Sequence, residues 1–207
     1  MVAVALVLYL VFAAAAFGWR TWWQWHRTGS TGFHGIAGRP GSLEWLAGVG
    51  LVVVLVLSLA APILQLADVV APIPLLDKPI VQWIGLAVAL AGVAGTLYAQ
   101  HAMGESWRIG VDATERTTLV RSGVFGMVRN PIYTGMFTFA AGVTLMAPNP
   151  VAVVGFLLLI GVIELQVRVV EEPYLCDVHG DRYRSYTAEV GRFVPAVGRR
   201  SRAPHVG

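Results

Sequence analysis

Five stretches of this chain run for close to the length of a membrane crossing with almost no charge, and no soluble core of this size buries that much unbroken apolar surface. They are Met1 to Trp19, Leu43 to Ala67 with Glu44 at its edge, Ile80 to about Met103, Ile132 to Ala147, and Val151 to Gln166. Hydrophobic residues make up 56% of the 207 and charged ones 13%, well away from the averages of soluble domains. The expected class is an all-α integral membrane protein with about five transmembrane helices.

The first run has no basic segment before it and is followed by Arg20, Trp22, Trp23 and Trp25. That order suits a span ending in an interfacial aromatic belt better than a cleaved signal peptide. The last two runs are joined by Pro148-Asn149-Pro150 and read as one tight helical hairpin. Each arm is near the lower limit of about 17 residues for a full crossing.

Of the 15 Lys and Arg residues, only Lys78 falls in a connection assigned to the far side; all the others follow spans one, three or five. By the positive-inside rule the N-terminus is then outside and the C-terminus cytoplasmic. The net charge of +3 fits anionic headgroups, and no nucleic-acid-binding motif accompanies it. Cys176 is the single cysteine, which excludes an intrachain disulfide, and the five histidines lack metal-ligand spacing. No metal and no nucleic acid are expected as partners.

Span three carries Ala87, Ala91 and Gly95 at four-residue intervals, with Gly92 and Thr96 beside them, the small-residue pattern of close helix packing. Gln100 and His101 stand at its end, before the polar loop Gly104-Glu105-Ser106-Trp107-Arg108-Ile109-Gly110-Val111-Asp112. Such a loop either folds over a ligand or anchors Trp107 in the interface.

Arg129-Asn130-Pro131 directly precedes span four, with Asn suited to the N-cap and Pro to the first helical position. It is a helix start, and it also sets a guanidinium at the positive end of a helix dipole, where a carboxylate binds. Arg168 lies three and four residues before Glu171 and Glu172, so a regular helix would carry all three on one face, until Pro173 breaks or kinks it. This is either an ion-paired helix end or a polar pocket for an amine or ribose hydroxyls. Leu175, His179, Tyr183, Tyr186 and Val190 then recur at helical spacing up to Gly191, as in one amphipathic helix on the cytoplasmic surface. Its tyrosines are expected to pack rather than to act chemically.

The segments Leu119-Val120-Arg121-Ser122-Gly123-Val124-Phe125, Val128-Arg129-Asn130-Pro131-Ile132-Tyr133-Thr134-Gly135 and Glu171-Glu172 through Gly180-Asp181-Arg182-Tyr183-Arg184-Ser185-Tyr186 to Pro195 occur in that order. Over roughly Gln100 to Pro195 the chain resembles the isoprenylcysteine carboxyl methyltransferase family of integral membrane enzymes. Its Gly-x-Ser-Trp-Arg-Ile-Gly-Val stretch is similar to the bacterial branch, which implies a bacterial inner membrane. The resemblance implies methyl transfer from S-adenosyl-L-methionine to a lipophilic acceptor, a carboxylate in this family, with membrane lipids as the surroundings. Asn130 stands where the family carries His, and Phe125 where a Tyr is common. Asn130 still donates a hydrogen bond but carries no charge.

Three regions follow: residues 1–103 with three spans (about 1–19, 43–67 and 80–103), residues 104–195 as the cofactor-binding catalytic region with the hairpin 131–168, and a basic tail, 196–207. On the family resemblance, Gln100, His101, Arg129, Asn130, Pro131, Tyr133, Glu171 and Glu172 are expected to bind the cofactor. Arg168 and Glu172 are expected nearest the chemistry, with Trp107 covering the site. Without a G-x-G-x-x-G after a strand, a soluble dinucleotide-type fold is excluded. A sterol-type reductase using NADPH and a non-enzymatic membrane scaffold are the alternatives.

Overall fold

A computed structural model describes residues 1–31, 35–36, 38–104 and 119–199. The fold is all-helical. Its elements are α1 (Val2–Ala13), a π-helical turn (Ala14–Trp19), α2 (Arg20–Thr28), α3 (Leu43–Leu66), α4 (Pro79–Met103), α5 (Pro131–Met146), α6 (Pro150–Gln166), a second π-helical turn (Val167–Glu171), α7 (Glu172–His179) and α8 (Asp181–Glu189). Among the described residues four continuous helices are long and apolar enough to cross a membrane, namely Val2–Thr28, Leu43–Leu66, Pro79–Met103 and Pro150–His179, while Pro131–Met146 is a shorter apolar helix. The chain is an integral membrane protein.

Local chemistry sets the helix ends. Proline occupies the first turn of α4, α5, α6 and α7, where its missing N–H costs nothing. The Ser42 side chain caps α3 by accepting from Trp45 N–H, and Asn149 caps α6 by accepting from Ala152 N–H at 2.9 Å. Asn149 is fully buried, and its amide also donates to the carbonyls of Ala61 and Ala147 and to Gln65 Oε1. The hairpin turn is thereby fastened to the end of α3.

Three expectations about the helices change. The first helix does not stop at Trp19; the π turn passes it on to Thr28, and it ends where Gly29 adopts φ 74°. The last arm likewise runs past Gln166 to His179, and Pro173 neither ends nor breaks it. The preceding π turn shifts the hydrogen-bond pattern, so the donor that Pro173 lacks falls in the first turn of α7. The proposed single amphipathic helix is instead two, divided at Gly180 with φ 53° and ψ −128°, a conformation that only glycine adopts readily. Tyr183 and Tyr186 of α8 are 2% exposed, so they pack inside the protein.

The closest helix pairing is α4 with α5, and glycine makes it. A Cβ at Gly92 would run into the Phe139 backbone, one at Gly142 into Ala89, and one at Gly135 into Thr96. Gly92 and Thr96 therefore pack as their residue types suggest. Ala87, Ala91 and Gly95 do not: they lie on the exposed face of α4, because the buried stripe runs through Gly85, Ala89, Gly92, Thr96 and Ala99. On the other side of α5, Phe139 stacks on Phe12 of α1 at 4.0 Å between ring centroids. An apolar cavity of about 50 Å³ lies among α1, α3, α5 and α6, lined by Tyr9, Phe12, Val54, Met136, Phe139 and Leu159 among others.

Candidate functional site

At one end of the bundle, the start of α5 meets the end of the long Pro150–His179 helix and the segment that follows α8. Backbone bonds make the junction: Arg129 N–H donates to Gly191 O at 2.8 Å and Asn130 N–H to Arg192 O at 3.0 Å, around a single parallel bridge between Val128 and Gly191. Thr134 Oγ1 adds a bond to Phe193 O at 2.8 Å. Two chain segments about 60 residues apart in sequence are thus joined at the first turn of α5.

Glu172, 1% exposed, is the centre of a buried ionic cluster. Its Oε1 accepts from Arg129 Nη2 at 2.9 Å and from Arg192 Nε at 2.8 Å, and its Oε2 from Arg192 Nη2 at 3.1 Å. Arg192 also lies 3.5 Å from Glu164, which pairs in turn with Arg168 at 2.5 Å. Charges of alternating sign therefore extend from exposed Arg168 to buried Arg129. The Glu172 hydrogen bond raises the pKa of Arg192 above the usual arginine value, and the guanidinium stays charged.

Beside the cluster, Tyr133 Oη donates to Glu171 Oε1 at 2.5 Å, with both residues partly buried. On α8, burial pushes the Tyr186 hydroxyl up to about 12, so it remains a donor, to Phe125 O at 2.5 Å. Burial, and then the nearby Glu172 charge, also raise the pKa of Tyr183. Both tyrosines are packing residues that close the back of the cluster.

Several expected placements are corrected. Arg168 is exposed and pairs with Glu164, whereas Glu172 is buried against Arg129 and Arg192. The Arg129 guanidinium donates through its two Nη atoms to Glu172 and to the carbonyls of Thr187, Val190 and Gly198, while its buried Nε meets no hydrogen-bond partner among the described residues. Glu172 is committed to two arginines inside the protein. Asn130 occupies the cap position of α5 but makes no capping bond; its amide donates to Arg192 O at 3.2 Å. Gln100 is buried and donates to Ala16 O at 2.9 Å, filling the carbonyl that the first π turn releases, whereas His101 is exposed at the end of α4. Trp107 and most of the polar loop, with residues 200–207 of the tail, lie outside the described residues.

Asn130, Pro131, Tyr133 and Glu171 are brought together. Arg192, which touches Glu172 and Asn130 alike, was missed. Nothing local distinguishes it from the arginines that follow it in the tail.

A helical membrane protein whose polar site is assembled entirely from its C-terminal half is the class that fold and site define. Residues 80–182 match the family model described as phospholipid methyltransferase. The chain is 28% identical over 116 residues to protein-S-isoprenylcysteine O-methyltransferase of Saccharomyces cerevisiae, covering 55% of this chain and 48% of that protein. It is 33% identical over 79 residues to the Schizosaccharomyces pombe protein of the same name, covering 38% and 34%. Against the Arabidopsis thaliana protein-S-isoprenylcysteine O-methyltransferase A the identity is 32% over 89 residues, covering 43% and 45%. The fold is similar to the solved structure of the eukaryotic intramembrane Ras methyltransferase, isoprenylcysteine carboxyl methyltransferase, with TM-score 0.52, 20% identity, and 80% of this chain and 56% of that one covered. By sequence the chain is thus similar to the phospholipid methyltransferase family over residues 80–182 and to protein-S-isoprenylcysteine O-methyltransferases over part of their length. These sequence matches span between a third and a half of the relatives' own lengths.

Proposed function

We propose that this protein is a membrane methyltransferase that uses S-adenosyl-L-methionine and methylates a carboxylate on a lipophilic acceptor. The observation that carries the reading is the meeting of the α5 start, where Asn130 leaves the first-turn amides without a side-chain cap, with the Tyr133–Glu171 pair. A helix N-terminus attracts a carboxylate and Glu171 attracts an ammonium, so together they suit the amino-acid end of such a cofactor. That donor set fits the cofactor.

Asn130 and the amides of Ile132 and Tyr133 would hold the carboxylate, and Glu171, oriented by Tyr133, the amino group. When bound, the cofactor supplies a methyl group already activated by its sulfonium. The protein's task is then alignment and exclusion of water, which needs no covalent nucleophile. A carboxylate acceptor is ionised at neutral pH, and no side chain has to remove a proton from it. Arg129, Glu172 and Arg192 form the frame that fixes the site rather than its lining.

Residues 104–195 would be the catalytic region and 1–103 its membrane support, with Val197 and Gly198 at the start of the basic tail, 196–207, bonded to Arg192 and Arg129. The charge distribution supports a cytoplasmic site, and the likeness of the Gly-x-Ser-Trp-Arg-Ile-Gly-Val stretch to the bacterial branch supports a bacterial inner membrane. Titration calorimetry of the detergent-purified protein with S-adenosylhomocysteine, and in parallel with NADPH, tests the proposal. Micromolar binding of the first alone is expected; binding of NADPH alone would replace the reading with a reductase, and no binding of either with a scaffold.

A further inference from the structure

We infer that Arg192 is a positioning residue for the cofactor site, holding Asn130 from its backbone and Glu172 from its side chain; this rests on the methyltransferase reading above. The carbonyl of residue 192 accepts both the backbone N–H of Asn130 at 3.0 Å and its side-chain amide at 3.2 Å. That second bond sets the rotamer of Asn130 and so the direction of the other N–H of its side-chain amide, the one that can donate to a carboxylate. The guanidinium of the same residue binds both oxygens of Glu172, at 2.8 and 3.1 Å, in the planar two-point geometry that lysine cannot reproduce.

Glu172 is the first residue of α7 and follows Glu171 directly, so fixing its carboxylate fixes the turn that presents Glu171 to Tyr133. Arg192 is itself held, because its N–H donates to Val197 O at 2.8 Å within the tight turn after Gly191. The two halves of the proposed cofactor clamp, Asn130 and Glu171, come from different helices, which the Tyr133–Glu171 and Arg129–Glu172 bonds also join at this end. A residue that merely neutralised Glu172 would matter to stability alone. One that also registers Asn130 against Glu171 matters to affinity in the folded protein.

The experiment is a set of calorimetric titrations with S-adenosylhomocysteine on wild type, R192Q, R192K, N130A and the double variant N130A/R192K, each with its thermal unfolding curve in detergent. R192K keeps the charge and the backbone carbonyl, so it remains testable even where R192Q fails to fold. Expected is a loss of about tenfold in affinity for R192K at a temperature well below its melting transition, the scale of one charged hydrogen bond. Adding R192K to N130A should cost less than about twofold more, because with the Asn130 side chain gone residue 192 no longer has it to register against Glu171. Wild-type binding with R192K within about twofold of it would overturn the role of Arg192 alone, and so would fully additive losses in the double variant. Silence from the wild type would overturn the methyltransferase reading and this inference with it.

Discussion

The Arg129 guanidinium sits 2.9 Å from the Glu172 carboxylate, and each side chain is 1% exposed. An ion pair so deeply buried is weak evidence of stability by itself, since removing two charges from water offsets much of their attraction. Breaking it from one side is another matter. Glu172→Gln would leave the buried Arg129 without a counter-charge and Arg192 with only Glu164, and should lower stability by about 3–5 kcal/mol. Thermal unfolding in detergent reads this out, and a melting temperature equal to wild type would mean that the cluster does not hold the two segments together.

Gly92 and Gly95 are three residues apart on α4 and make opposite predictions. A methyl group at Gly92 collides with the Phe139 backbone, whereas at Gly95 it meets nothing within 4 Å. Gly92→Ala should therefore destabilise the protein by about 1–3 kcal/mol or prevent its accumulation. Gly95→Ala should be neutral or slightly stabilising, by up to about 1 kcal/mol of helix propensity. Equal melting temperatures for the two variants would contradict the assigned α4–α5 face.

Asn149 bonds four different groups from a fully buried position at the hairpin turn. Asn149→Ala would orphan buried backbone groups and cost about 1–3 kcal/mol. The loss should appear as faster proteolysis at the 147–150 turn as well as a lower melting temperature. Intact resistance at that turn would show that α3 does not depend on it.

Arg168 pairs with Glu164 on an exposed part of the helix, with 59% of its side chain accessible. A pair of this kind contributes less than about 1 kcal/mol. Arg168→Ala should leave S-adenosylhomocysteine affinity unchanged, while Glu171→Ala should weaken it by about tenfold or more, through loss of a charged hydrogen bond. The reverse ranking would return Arg168 to the site.

The sequence by itself determined the membrane class and the apolar segments, because burying a polar backbone in lipid admits helices whose side chains are uniformly apolar, and composition alone reports that. It also marked Arg129, Asn130, Tyr133, Glu171 and Glu172 as one group, through motif order. It could not say which of them face a ligand. That depends on how the π turn at Val167–Glu171 sets the register of the helix end, and on the turn after Gly191, which brings Arg192 onto Glu172. Helical periodicity assumes a constant 3.6 residues per turn, and one inserted residue breaks the assumption without leaving a mark in the sequence. The pairing of Arg192 with Glu172 spans 20 residues and a chain reversal at Gly180. Only the folded chain decides which arginine, among several alike, arrives there.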